Sequence, residues 1–148
     1  MVSESVVEAA SKYFSNEYNC AQAVFRAILE HKGVYFDEGT QLASGFGGGI
    51  TYTGQQCGAL SGAMMAIGLL VGKKVSDVRE HKAETYKQSS ELLSRFKEQF
   101  GTIICDDLTG VKMSDLEAKK KAIEQGRFEE VCPSFVKEAV RILTDMFP

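Results

Sequence analysis

The sequence predicts an all-α fold, a single-domain bundle of five to seven helices around a buried glycine-rich central helix. Apolar residues recur at helical spacing through most of the 148 residues. No strand-like alternation of useful length interrupts them. Two prolines and no tryptophan also favour helix over a β-sandwich. The balance of 44% hydrophobic to 25% charged residues suits a soluble globule and excludes a disordered or collagen-like chain. This length suits one compact domain, and no linker or repeat divides residues 1–148.

Taken in order, residues 3–15 place Val6, Val7, Ala10, Tyr13 and Phe14 on one helical face, with Ser3 as the cap. Asn19 is positioned to cap a second helix. Its apolar face reads Cys20, Val24, Ala27, Ile28 and His31, and Gly33 ends it. A shorter helix fits residues 37–44. Gly45-Phe46-Gly47-Gly48-Gly49-Ile50 follows as a loop that no regular element favours, then a turn at Thr53-Gly54.

Residues 57–72 are apolar nearly all round, the mark of a helix enclosed on most sides. Gly58 and Gly62 lie four apart, as do Gly68 and Gly72, a spacing that lets a neighbouring helix come close. As a helix this stretch spans about 24 Å, short of a bilayer core of roughly 30 Å, so it reads as a core helix and not a membrane span. Ser76 opens the next helix, whose face Val78, Lys82, Thr85, Ser89, Leu92, Leu93, Phe96 and Phe100 runs to Gly101. Ile103-Ile104-Cys105 is too short to classify. Ser114 caps a polar helix ending near Gly126. Cys132-Pro133 starts the last helix, with Cys132 as its N-cap, because proline favours the first helical position.

Formal net charge is −3, from 17 basic and 20 acidic residues, with no basic stripe; no nucleic-acid partner is expected. The N-terminus has neither a basic n-region nor a long apolar stretch, so the expected location is cytoplasmic, where thiols stay reduced.

The four cysteines, Cys20, Cys57, Cys105 and Cys132, show no Cys-x-x-Cys spacing. Position says more. Cys20, Cys57 and Cys132 fall at or near predicted helix starts, where free N–H groups and the helix dipole favour a thiolate. Two readings stand side by side: cysteines that fill core space, and thiols that share one site. From Gly39 to Gly72 there are 34 residues without a charge, holding ten of the 14 glycines. Such a stretch entering a buried helix at Cys57 suggests backbone in close approach to a buried group. Gly47, Gly48, Gly49 and Gly58 are therefore candidates to surround the sulfurs.

Other motifs fail. Gly45-x-Gly47 has Ile50 where a dinucleotide fingerprint needs glycine, and no strand precedes it. Gly68-x-x-x-Gly72-Lys73 is one residue short of a phosphate loop. His31 suits a helix C-terminus, and His81 and Lys119-Lys120-Lys121 suit solvated faces. Asp106-Asp107 read as capping residues near Gly110.

Cys57-Gly58-Ala59-Leu60-Ser61-Gly62, preceded by Phe46-Gly47-Gly48-Gly49-Ile50 and flanked by single cysteines at 20, 105 and 132, resembles the redox-active protein family named for a C…GCAxxG…C…C signature. The resemblance runs from Asn19-Cys20 to Cys132-Pro133. It implies redox function without a settled substrate. A similar domain occurs in split-Soret cytochromes, associated with an iron–sulfur centre. By that resemblance the four cysteines would ligate one cluster, preferably [2Fe-2S], which disulfides would replace in an aerobic preparation.

Four functions are then in view: an iron–sulfur electron carrier or redox sensor, a metal-free thiol–disulfide protein, a four-cysteine zinc protein, and a helical interaction module with core cysteines. No catalytic residue is singled out. The expected partner is a redox protein that the sequence does not identify. The glycine-faced central helix and the polar helix at 114–125 leave room for a homodimer.

Overall fold

A computed structural model of the chain describes residues 2–148. Among these the chain forms six helices of nine residues or more: α1 (Val2–Ser15), α2 (Cys20–His31), α5 (Gly58–Gly72), α6 (Val78–Phe100), α8 (Leu116–Glu124) and α9 (Arg127–Met146). Three short helical segments join them: α3 (Gly39–Ala43), α4 (Gly47–Ile50) and α7 (Cys105–Thr109). A 3-10 turn at Ser44–Phe46 links α3 to α4. The only pairing of extended backbone among the described residues is one antiparallel bridge between Gln56 and Ile104. The fold is all-α.

α5 is the enclosed helix. From Gly58 to Val71 none of its residues is exposed, because the stretch offers no charge to hold it at the surface. It packs most extensively against α2, while α1 and α9 pair with each other and close over α2, and α6 covers another flank of α5. A Cβ on Gly62 would overlap the Ala21 carbonyl, and one on Gly58 would lie 2.7 Å from the Phe46 carbonyl oxygen and overlap Cys20 Sγ. Two hydrogens at these positions let the backbones of α2 and α5 touch. Ile28, Leu29, Leu60, Ile67, Leu92, Phe96, Val136 and Leu143 fill the space around this crossing.

Several boundaries differ from the sequence reading. α1 is already helical at Val2, so Ser3 lies inside it. α6 is capped by Asp77, whose carboxylate accepts the Glu80 amide at 3.0 Å, and not by Ser76. α8 is capped by Asp115, which accepts from Glu117 and Ala118 at 3.1 Å, and not by Ser114. In both cases the carboxylate outcompetes a neighbouring hydroxyl, being the stronger acceptor beside the positive end of a helix.

The largest shift is in α9. It starts at Arg127, directly after Gly126 in the left-handed region, so Cys132 is not an N-cap and Pro133 lies inside the helix. Proline has no N–H, so the Glu129 carbonyl receives no i+4 bond there. His31 is exposed and not on the apolar face. Val78 is 77% exposed, because α6 buries only Ser89, Leu92 and Phe96. His81 is half-buried and donates from Nε2 to the Gly68 carbonyl at 2.7 Å. No helix among the described residues is long and apolar enough to cross a membrane.

The crossing predicts opposite signs for two substitutions in one helix. Gly62→Val is expected to destabilise by about 2–4 kcal/mol, since the new side chain meets backbone that cannot yield. Gly68→Ala is expected to be neutral or to stabilise by up to about 1 kcal/mol, because its Cβ would find only Thr85 Cγ2, at 4.0 Å. Chemical denaturation of both variants reads the difference; equal losses would contradict the close crossing.

Candidate functional site

The site gathers at one end of the crossing. Cys20 is the first residue of α2. Asn19 holds that helix start with a reciprocal capping box, accepting from the Gln22 amide at 2.9 Å while Gln22 Oε1 accepts the Asn19 amide at 3.0 Å. Cys57 is the N-cap of α5 and Cys105 the first residue of α7. Cys132 projects from the second turn of α9. The helix starts that carry cysteines are therefore those of α2, α5 and α7, in place of the expected α2, α5 and α9.

The Gln56–Ile104 bridge sets two of these cysteines side by side. Cys57 donates its amide to the Ile103 carbonyl at 2.9 Å, and Cys105 donates to the Gln55 carbonyl at 2.6 Å. Asp106 donates its amide to Gly54 at 3.2 Å, and its carboxylate fills the space where a Gly54 side chain would stand. All four cysteines line one cavity of about 450 Å³. Phe14, Tyr18, Leu108, Met113, Phe128 and Phe135 line it as well. Cys57 and Cys105 are buried; Cys20 and Cys132 are half-buried; all four are free thiols. Among the described residues, no three His, Cys, Asp or Glu side chains close round a point as a single metal ion requires.

A left-handed turn walls this cavity. Gly48, Gly49, Ile50, Thr51 and Tyr52 all have positive φ, between 50° and 71°. For the three non-glycine residues this backbone costs about 1–2 kcal/mol each. Hydrogen bonds hold it. Thr51 donates its amide and hydroxyl to the Gly45 carbonyl at 3.0 and 2.8 Å, and Gln55 donates to Gly49 at 2.9 Å. A Cβ on Gly49 would stand 2.7 Å from Cys105 Cβ, one on Gly48 2.5 Å from the Tyr52 ring, and one on Gly47 2.6 Å from Asn19 Nδ2. Thus Gly47, Gly48, Gly49 and Gly58 all border the thiol cavity or the elements that carry its cysteines.

The thiols have divided proton affinities. The Cys57 thiol, aimed at Cys20, holds the Cys20 pKa below the ordinary thiol value against the opposing effect of burial; the amides of Gly48 and Ala21 assist. The same pairing, then burial and the Cys20 charge, pushes Cys57 well above that value. Cys105 is raised to about 12 by burial, with Cys20 and Asp106 adding. Cys132 is likewise raised to about 12, by burial and then by Cys20, Cys105 and Glu129, with Arg127 opposing. Cys20 is thus the first of the four thiols to lose its proton as pH rises, while Cys57, Cys105 and Cys132 hold theirs well beyond it.

The sequence reading passed over several contributors. Cys105 as a helix start was hidden by the two isoleucines before it, which read as apolar filler. Tyr52 and Gly54 owe their roles to a left-handed backbone that no residue pattern announces. Gln22, three residues after Asn19, is a capping-box signal that was legible.

Comparison with known proteins gives two matches. The family described as "Putative redox-active protein (C_GCAxxG_C_C)" matches residues 18–146. A protein of Archaeoglobus fulgidus described as "Uncharacterized protein" is 30% identical over 129 residues, covering 81% of this chain and 85% of that one. No solved structure matches.

The division of proton affinities predicts an order of alkylation in the metal-free, reduced protein. A lowered pKa gives thiolate at lower pH, so at neutral pH iodoacetamide should label Cys20 first. Labelling of Cys105 and Cys132 should rise about tenfold per pH unit well beyond pH 9, as the thiolate fraction grows toward a pKa of about 12. Peptide mass spectrometry reads the order. Equal rates at the four sites, with no pH dependence above 9, would contradict it.

Proposed function

The chain belongs to the redox-active protein family with the C…GCAxxG…C…C signature, and from that membership we propose that Cys20, Cys57, Cys105 and Cys132 act together as one redox site holding an iron–sulfur cluster, in the [2Fe-2S] form, for one-electron transfer or redox sensing. The observation that carries this reading is that four cysteines from four separate helices line a single cavity.

The residues present fit such a group. The donor set is four sulfurs, the soft ligands that iron–sulfur clusters take. All four border one cavity, although among the described residues they form no ready-made site for a single ion. Gly58 and Gly49 leave out the Cβ atoms that would press on Cys20 and Cys105.

When bound, the cluster supplies one-electron chemistry. The chain's own residues hold and tune the sulfurs. The amides of Gly48 and Ala21 donate to Cys20, and that of Ala59 donates to Cys57. Such N–H donors favour the more negatively charged state and raise the potential. Phe14, Phe128 and Phe135 give the cavity apolar walls beside the sulfurs. Ligation displaces the protons that Cys57, Cys105 and Cys132 hold in the metal-free protein.

The facing pair Cys20 and Cys57 supports a second reading, a metal-free thiol–disulfide couple. There the two thiols give up two protons and two electrons to an oxidant and form one S–S bond.

Anaerobic purification distinguishes the two. The cluster reading expects visible absorbance with iron and acid-labile sulfide in equal amounts, lost on changing any one of the four cysteines to serine. It also expects Gly48→Val to weaken cluster retention while far-UV circular dichroism keeps its helical signal. Colourless protein without iron, with two thiols consumed on mild oxidation, would give the site to the disulfide couple.

A further inference from the structure

We infer that the outer face of the Gly48–Tyr52 turn, together with one face of α8, is the docking surface for an acidic one-electron carrier protein. This rests on the proposed redox site.

Exposed large apolar side chains gather beside the cavity. Ile50 is 42% and Tyr52 50% exposed on the turn, and on α8 Leu116 is 73% and Ile123 52% exposed. On α8, Leu116, Lys119, Lys120 and Ile123 stand at i, i+3, i+4 and i+7, which is one helical face. Ala122, the buried residue of α8, stands at i+3 from Lys119 and marks the edge where the helix turns toward the core. Lys119 Nζ lies 3.9 Å from the centre of the Tyr52 ring. That contact joins the α8 face to the turn as one continuous surface.

The surface meets what electron transfer requires. Tyr52 and Gly48 line the thiol cavity, so a partner seated on the turn is separated from the sulfurs by one layer of backbone. Apolar side chains at the centre and charge at the margin are the ordinary anatomy of a small transient interface. The charge at the centre of this face is positive, from Lys119 and Lys120, with Glu117 and Glu124 flanking Lys120 at i−3 and i+4 on one margin. The chain as a whole is negative, at −3. Lys119 and Lys120 are thus the cations this face offers an acidic partner, beside the site. A basic partner would be drawn elsewhere.

The test uses the anaerobically loaded protein with reduced flavodoxin as the acidic carrier, cytochrome c as the basic comparator and methyl viologen radical as the small reductant. Binding by titration and the second-order rate are measured at low and high salt. Lys119→Gln with Lys120→Gln should weaken flavodoxin binding about tenfold at low salt, and the difference should vanish at high salt. Leu116→Ser with Ile123→Ser should weaken it at both. Lys73→Gln with Lys74→Gln, at the far end of α5, should change nothing, and circular dichroism and the methyl viologen rate should stay unchanged in every variant. Unaltered flavodoxin binding in the Lys119/Lys120 variant would overturn the inference, as would tighter binding of cytochrome c. Wild-type dimers that the Leu116/Ile123 variant abolishes would assign the face to a second copy and overturn it too. Absence of any centre reducible by methyl viologen would sink the proposed function instead, and the binding titration would still decide the docking surface.

Discussion

Two glycines at one helix crossing determine where the sulfurs can be. Gly62 lets α5 press against the Ala21 backbone of α2, and Gly58 leaves the space that Cys20 Sγ occupies. Helices separated by ordinary side chains run about 8–10 Å apart. At that separation Cys20, at the start of one helix, would not face Cys57, at the cap of the other. The uncharged length of α5 serves the same end. A helix able to sit in the middle of the bundle has its N-terminus surrounded, and the other cysteine-bearing segments reach Cys57 from different sides.

The third and fourth cysteines arrive by separate means. The Gln56–Ile104 bridge lines up the chain before α5 with the chain before α7, and so fixes Cys105 beside Cys57. Cys132 is carried by α9, which Phe135, Val136, Val140 and Leu143 anchor in the core. The left-handed turn then closes the cavity. Its three non-glycine residues cost about 3–6 kcal/mol together, a large share of a typical stability of about 5–15 kcal/mol. Strain of this size persists only where surrounding contacts dictate it, and here they serve to place the Gly48 amide on Cys20.

Much of this was legible in the sequence. Helical periodicity gave the long helices, the missing charges gave the enclosed α5, and the four-residue glycine spacing at 58 and 62 gave the close approach. Where reading failed, a local rule was overridden. Asp77 and Asp115 took the caps assigned to Ser76 and Ser114, because a carboxylate next in line was the better acceptor. Pro133 suggested a helix start, but Gly126 had already begun α9 and buried contacts further along carried it through the proline. The left-handed run at Ile50, Thr51 and Tyr52 had no signal, since these side chains disfavour that backbone and only tertiary contacts impose it. The grouping of the cysteines followed no spacing motif. It depends on the helix crossing and the isolated bridge, both products of packing between distant segments.

Chemically, the result is a walled set of four sulfurs in which Cys20 gives up its proton most readily and the other three thiols keep theirs until something displaces them. The most direct measurement of what displaces them is native mass spectrometry of protein purified and sprayed without oxygen. The account predicts one dominant species per chain, heavier than the sequence mass by two irons and two sulfides and lighter by the displaced thiol protons. The sequence mass plus a single zinc, or the sequence mass less two hydrogens for a disulfide, would contradict it.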